Sequence, residues 1–82
     1  MNRITTPTMG EVIHEEFIKP MGLSIREIAQ KTSIPASTIQ DLLDGRQKIT
    51  LDTSVRLGRV FGVSDHYFLN IQNDIDARNA TQ

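Results

Sequence analysis

A cluster of short polar side chains lies between Pro35 and Asp41, in a segment whose apolar residues have helical spacing. A glutamine such as Gln40 can form two hydrogen bonds with the edge of adenine in the major groove of DNA. Serine and threonine hydroxyls can reach base edges or phosphates, and an aspartate can accept a hydrogen bond from cytosine. This chemistry would be base recognition, and the residues that could take part are Pro35, Ala36, Ser37, Thr38, Gln40 and Asp41.

Basic and polar residues flank this segment on both sides, where they could hold the DNA backbone. Arg46 and Lys48 follow Gly45, and Ser24 and Arg26 open the preceding predicted helix. The net charge is −1, from 9 Lys and Arg against 10 Asp and Glu, so the charge permits DNA binding without requiring it. The same residues would also be ordinary on the solvent face of a helical hairpin, and that alternative stays open.

Other kinds of chemistry find little support in the residue types. The chain has no cysteine, which excludes disulfides and thiol nucleophiles. Its two histidines, His14 and His66, have no second ligand at helical spacing, so no metal site is predicted. Without a glycine-rich phosphate loop or a Ser-His-Asp set, we expect neither an enzyme nor a cofactor. Because no apolar run is long enough to cross a bilayer, we expect a cytoplasmic protein without membrane contact.

The elements that must position these residues are predicted to be five short helices in a single domain over residues 1–82. Thr8 with Glu11 and Ser24 with Glu27 have the spacing of capping boxes, which would open the first and second helices. No segment alternates in the period-two manner of a strand. The predicted fold class is therefore all-α.

The remaining helix boundaries are predicted from residues with strong positional preferences. Lys19-Pro20 should end the first helix, and Pro35 should be the first residue, N1, of the third. Gly58 lies inside the fourth helix, where it costs about 0.8–1.0 kcal/mol relative to alanine unless it permits close packing. Further ends and caps are expected at Gly45, Thr50, Gly62 and Ser64. Residues 76–82 either extend the fifth helix or fray.

The second and third helices, within about residues 24–45, are joined by only about three residues, 32–34. So short a connection forces two helices to cross at a large angle, and Ala29 supplies a small residue for the crossing. Ile39 and Leu42 would anchor the third helix on the core, which leaves its opposite face free. This is the arrangement of a helix-turn-helix, whose second helix enters the major groove of DNA.

Several stretches of the chain resemble the HigA-type antitoxins, a branch of the λ-repressor-like helix-turn-helix proteins once called virulence-associated protein I. The stretches are Met9–Ser24, Leu43–Thr50, Thr53–Leu57, Phe61–Ser64, Tyr67 and Leu69–Gln72. The resemblance covers about residues 7–75. It implies a five-helix λ-repressor-like DNA-binding domain of the Xre type.

The same resemblance implies a function. The protein would neutralise a HigB toxin, a small basic RelE-like ribonuclease that cuts mRNA on the ribosome. As a homodimer it would also bind palindromic operator DNA in the promoter of its own operon and repress transcription.

The chain departs from the family pattern at two places. Family members often carry arginine at the positions of Ala36 and Thr38, and glycine is common at the position of Ser33, where a left-handed serine costs about 1 kcal/mol.

Two further surfaces are candidates for contacts between proteins. Apolar residues of the fifth helix either close the core or pack against a second copy; these are Tyr67, Ile71 and Ile75. A basic toxin should prefer acidic surface, which the first helix offers at Glu11, Glu15 and Glu16, and the chain after Val60 offers as well. A regulator of the same fold without a toxin, and a helical interaction domain with little DNA binding, remain alternatives.

Overall fold

The computed structural model describes residues 8–80, which form five helices and no strand. α1 covers residues 9–21 and consists of an α-helical part, Met9–Ile13, a π-helical turn, His14–Ile18, and a second α-helical part, Lys19–Met21. The other helices are α2 (Ile25–Thr32), α3 (Ala36–Leu43), α4 (Leu51–Phe61) and α5 (Tyr67–Ala80). The predicted all-α class is confirmed. Of the predicted tail, residues 81 and 82 lie outside the described residues. None of the described helices has the length and apolar character needed to cross a membrane.

Three helices begin at the predicted capping residues. At α1, the Glu11 N–H donates to the Thr8 hydroxyl over 3.1 Å, and the Thr8 N–H donates to the Glu11 carboxylate over 2.9 Å. Ser24 and Glu27 form the same reciprocal pair at the start of α2. At α4, the Thr50 hydroxyl accepts a hydrogen bond from a backbone N–H of the first turn. Each cap satisfies amides that have no acceptor inside their own helix.

The first helix does not end before Pro20, and that prediction is wrong. The helix continues to Met21 and ends at Gly22, whose φ of +65° lies in the left-handed region. At the end of the π-helical turn, the Lys19 N–H donates to the carbonyl of His14, five residues earlier. A proline ring clashes with the carbonyl four residues before it in a regular α-helix. The wider turn before Pro20 relieves that clash.

Two other helix starts differ from their predicted positions. Pro35 is the N-cap of α3 rather than its first residue, because its ψ of 142° is extended and the helix begins at Ala36. Ser64 does not cap the fifth helix, because residues 65 and 66 form a turn and α5 begins at Tyr67. The Ser64 carbonyl instead accepts the Tyr67 N–H over 3.1 Å. The predicted ends at Gly45 and Gly62 are confirmed, with φ values of +79° and +78°.

An aromatic cluster joins α1, α4 and α5 at the centre of the core. Phe17 stacks on Phe61 with ring centroids 4.6 Å apart, and both rings contact Phe68, at 5.3 Å and 5.9 Å. Phe68 itself is 0% exposed. The other buried apolar side chains are Met9, Ile13, Ile28, Ile34, Ile39, Leu42, Ile49 and Leu57. Every helix contributes to this core, and removal of its apolar surface from water is the main force that holds the helices together.

Two glycines allow pairs of helices to approach each other closely. Gly10 of α1 lies against the carbonyl of Leu43 at the end of α3, where a Cβ atom would overlap the backbone. Gly58 of α4 lies against the backbone before α5, so that a Cβ atom would be 2.6 Å from the Ser64 carbonyl oxygen. Of the two alternatives for Gly58, the structure therefore supports close packing. The contact at Gly10 fixes the end of α3 against α1.

Candidate nucleic-acid interface

The connection between α2 and α3 is held by one threonine side chain. The Thr32 hydroxyl donates to the carbonyl of Ile28 over 2.7 Å and accepts the N–H of Ile34 over 3.2 Å. Between them Ser33 adopts the left-handed conformation, with φ of +61°. The predicted tight turn is thus confirmed, with the serine in the strained conformation that its position suggested.

A side chain from outside the helix-turn-helix also holds this connection. The Arg56 guanidinium of α4 donates through Nη1 to the carbonyl of Thr32 over 3.2 Å. Its Nε atom contacts the Asp52 carboxylate at 3.1 Å, one helical turn earlier on α4. Because Thr32 is the last residue of α2, the arginine satisfies a carbonyl that has no partner within that helix.

α3 buries one face and presents the other to solvent. Ile39 and Leu42 are 3% and 2% exposed, which confirms them as core anchors. Of the predicted base-contacting residues, four are exposed and two are half-buried; they are Pro35, Ala36, Ser37 and Gln40, and then Thr38 and Asp41. Within residues 8–80, no side chain caps the start of α3. Its first backbone amides therefore remain available to an acceptor such as a phosphate.

Gln40 has a hydrogen-bond partner on its own helix end. Its Nε2 atom donates to Oδ1 of Asp44 over 3.0 Å, and both residues are exposed. A bidentate contact with adenine needs the amide nitrogen as well as the amide oxygen. Because an amide nitrogen carries two N–H groups, the contact with Asp44 leaves one of them, together with the amide oxygen, for a base.

The turn after α3 presents the two predicted phosphate-contacting bases. The Asp41 carbonyl accepts the backbone N–H groups of Arg46 and Gln47, at 2.9 Å and 3.3 Å, which folds the turn back onto the end of α3. Arg46 is exposed and has no ion-pair partner within residues 8–80. Lys48 differs, because its Nζ atom lies 3.3 Å from Oδ1 of Asp76 on α5.

A buried glutamine on α5 forms a hydrogen bond with the backbone that follows this turn. Gln72 is 8% exposed, and its Oε1 atom accepts the Ile49 N–H over 3.2 Å. Its Nε2 atom donates to Oδ1 of Asp76 over 3.1 Å. Sequence reasoning did not find Gln72 or Asp76. Gln72 comes four residues after Phe68, which is fully buried, and this spacing was the available signal that Gln72 lies on the inner face of α5.

The two residues predicted at the start of α2 have different surroundings. The Ser24 hydroxyl accepts the Glu27 N–H over 3.1 Å, so its oxygen already serves the helix cap. The Arg26 side chain is exposed and forms no ion pair within the described part of the chain. Arg26 is therefore the freer of the two to meet a phosphate.

The predicted apolar stripe of α5 is half-buried. Tyr67, Ile71 and Ile75 each pack against the core and keep part of their surface exposed. The Tyr67 ring contacts Phe17 edge-on at 6.0 Å and Phe68 at 5.1 Å. The stripe thus closes the core, as one of the two interpretations held, and it retains apolar surface that a second chain could cover.

The predicted acidic surface of α1 lies beside this stripe. Glu11, Val12, Glu15, Glu16 and Tyr67 line an open cleft of about 400 Å³. A hydrogen bond from His14 and the charge of Lys19 hold the pKa of Glu15 below its usual range. Glu15 is therefore negatively charged at neutral pH.

Comparison with known proteins identifies the family. Residues 15–68, which include the whole of α2, α3 and α4, match the family model HTH_3, described as helix-turn-helix. The chain belongs to the helix-turn-helix family. This match confirms the predicted helix-turn-helix and the λ-repressor-like, Xre-type fold class.

Relatives of this helix-turn-helix protein include antitoxins, as the predicted resemblance implied. It is 38% identical over 73 residues to virulence-associated protein I of Dichelobacter nodosus. The aligned residues make up 89% of this chain and 68% of that protein. It is similar to a solved structure of Pseudomonas aeruginosa antitoxin HigA with higBA promoter, with 27% identity, a TM-score of 0.84 and coverage of 92% and 82%. It is also similar to antitoxin GraA in complex with its operator, with 29% identity, a TM-score of 0.84 and coverage of 98% and 81%. The chain spans 62% to 64% of the length of two HTH-type transcriptional regulators that it also matches.

Proposed function

We propose that this helix-turn-helix protein binds operator DNA through α3 and the turn that follows it. The observation that carries the proposal is the polar outer face of α3, which buried Ile39 and Leu42 hold in place. In the turn after α3, exposed Arg46 has no ion-pair partner among residues 8–80. α3 would enter the major groove, where Ser37 and Gln40 would contact base edges. The HigA and GraA structures named above contain promoter or operator DNA, which supports the same role for this chain.

Phosphate contacts would come from both sides of the reading helix. Arg46 and Lys48 would hold one side, and Arg26 with the start of α2 would hold the other. Such contacts fix the position of the protein on DNA but do not distinguish sequences. Ala36 and Thr38 carry no charge, so base preference would depend on Gln40, Ser37 and contacts with thymine methyl groups.

A dimer would place two such helices on one palindromic operator. The reading helices of dimeric helix-turn-helix proteins lie about 34–36 Å apart, one turn of DNA. Tyr67, Ile71 and Ile75 are spaced four residues apart on α5 and keep exposed apolar surface. This stripe is our candidate for the contact between two copies.

The second part of the proposal is that the protein neutralises a basic, mRNA-cleaving toxin of the HigB type. It is supported by the similarity to antitoxins HigA and GraA and by the acidic surface of α1. Glu11, Glu15 and Glu16 are all exposed. A basic ribonuclease would be attracted to such a surface.

The test of DNA binding is a titration of promoter DNA from the same operon, measured by fluorescence anisotropy at several salt concentrations. Arg46→Ala should weaken binding to all sequences and reduce the slope of log K against log salt by about 0.9 per chain. Gln40→Ala should cost about 1–3 kcal/mol on the cognate site only. Arg59→Ala, which removes an exposed arginine outside the predicted surface, is the matched control. No binding at about 50 mM salt would contradict the proposal, since even non-specific contacts are strong there.

The test of antitoxin function uses the product of the neighbouring gene, if that gene encodes a small basic protein. The two proteins should co-purify, and the complex should fail to cleave mRNA. Replacing Glu15 and Glu16 by lysine should abolish co-purification, whereas the same change at Asp74, on exposed α5 surface, should not. DNA binding without any bound toxin would instead indicate a regulator that acts without a toxin.

A further inference from the structure

Four residues connect α5 with the turn that we propose to contact phosphate. Gln72 holds the backbone of Ile49 and also donates to the Asp76 carboxylate. The same Asp76 oxygen lies 3.3 Å from the Lys48 ammonium. The Asp76 carboxylate therefore accepts a hydrogen bond from the buried Gln72 amide and also forms an ion pair with the exposed Lys48 ammonium.

The Gln72 end of this arrangement is buried, whereas the Lys48 end is exposed to solvent. Gln72 and Ile49 are buried, at 8% and 5% exposure, so the position of Asp76 is fixed from inside the fold. The Lys48 side chain is 73% exposed, whereas that of Asp76 is 39% exposed. Lys48 can thus leave the ion pair for another anion, while Asp76 stays in place.

A carboxylate and a phosphate compete for the same lysine. Both are anions that accept charge-assisted hydrogen bonds from an ammonium. If Lys48 turns to DNA, Asp76 is left without its cation and close to a negatively charged backbone. If Lys48 stays on Asp76, the complex has one phosphate contact fewer. In both cases the carboxylate lowers the affinity for DNA.

We infer that Asp76 is a positioning residue that lowers DNA affinity by occupying Lys48 in the place of a DNA phosphate. The inference rests on the proposed DNA-binding function, which it makes more specific. Through Asp76, the C-terminal half of α5 would influence DNA affinity without contacting DNA itself. Because Ile71 and Ile75 lie on the same helix, a partner chain that covers the apolar stripe would contact the residues next to this ion pair.

The test is Asp76→Asn, which keeps an acceptor for Gln72 and removes only the charge. Its matched control is Asp74→Asn, which causes the same change in net charge. Asp74 is paired with Arg78 and lies about 200° around the helix from Asp76. Circular dichroism would show that both variants keep their helices. Anisotropy titrations on promoter DNA would then compare affinity and salt dependence.

Asp76→Asn should bind DNA about two- to fivefold more tightly than the wild type for each bound chain, the range typical of one exposed ion pair. Its slope of log K against log salt should steepen by up to about 0.9 per chain. In a Lys48→Met background the part of this gain that depends on Lys48 should disappear, so Asp76→Asn should gain less there than in the chain that keeps Lys48. Equal affinities for wild type and Asp76→Asn, or an equal gain in Asp74→Asn, would overturn the inference alone. A lack of binding by every variant would overturn the proposed function itself.

Discussion

The hydroxyl of Ser54 donates a hydrogen bond of 2.7 Å to the backbone carbonyl of Asp65, which precedes α5. The same oxygen accepts the backbone N–H of Leu69 over 3.0 Å. Ser54 is 0% exposed. A single hydroxyl on α4 therefore serves a carbonyl and an amide of the segment that begins α5, where Ser64 does not act as a cap.

We expect Ser54→Ala to destabilise the protein by about 1–3 kcal/mol, because it leaves buried backbone groups without a partner. Urea denaturation followed by circular dichroism would measure the loss. Ser37→Ala is the matched control, since Ser37 is exposed, and it should change stability by less than about 0.5 kcal/mol. Equal unfolding midpoints for Ser54→Ala and wild type would contradict the role given to this hydroxyl.

Gly58→Ala should destabilise the fold although alanine is the better helix former. Propensity alone would favour alanine by about 0.8–1.0 kcal/mol. The new Cβ would however be 2.6 Å from the Ser64 carbonyl oxygen and 3.2 Å from that of Val63, and backbone atoms cannot rotate away. We expect a net loss of about 1–3 kcal/mol in thermal or urea unfolding. Asn73→Ala, on exposed α5, should show the ordinary gain, and a gain at Gly58 as well would show that α4 and α5 are not closely packed.

Ser33→Gly should stabilise the protein. Ser33 has a φ of +61°, and the left-handed conformation costs an L-residue about 1–2 kcal/mol, part of which glycine loses again through its flexible unfolded state. A gain of about 0.5–1 kcal/mol is therefore expected. Gly45→Ala, at φ of +79° in the next turn, is the reverse experiment and should destabilise. The two midpoints should move in opposite directions, and a lower midpoint for Ser33→Gly would contradict this account.

The lowered pKa of Glu15 predicts a contribution to stability that depends on pH. A carboxyl whose pKa is lower in the folded chain stabilises the fold above its unfolded pKa, and that contribution is lost as the pH falls through the folded pKa. The hydrogen bond from His14 is the first cause of the shift. His14→Ala should therefore raise the pKa of Glu15, as measured by NMR titration of its side-chain carboxyl carbon. His66→Ala, which changes the other histidine, should leave it unchanged.

The sequence predicted the features that depend on neighbouring residues. The capping pairs Thr8–Glu11 and Ser24–Glu27 formed as their spacing required. Gly45 follows α3 in the left-handed conformation. This was predictable because the preference for glycine at such a position depends on that one residue. The outer face of α3 was found by the same kind of reasoning, since Ile39 and Leu42 identify the inner face.

Features that depend on contacts between distant residues were not predicted. The hydrogen bond from Ile49 to Gln72 joins residues 23 positions apart, and no local pattern indicates it. The ion pair of Lys48 with Asp76 is of the same kind. The passage of α1 through Pro20 was missed because a proline usually ends a helix, and nothing in the residue types announces a π-helical turn.

The hydrogen bond from Arg56 to the Thr32 carbonyl has a consequence for anyone who wishes to transplant the DNA-reading unit. α2 and α3 have eight residues each, and isolated helices of that length are marginal in water. The last carbonyl of α2 is satisfied by α4, and the end of α3 rests on Gly10 of α1. A peptide cut to residues 24–45 would lose both supports, so a graft of this motif into another scaffold has to carry an equivalent of Arg56 with it.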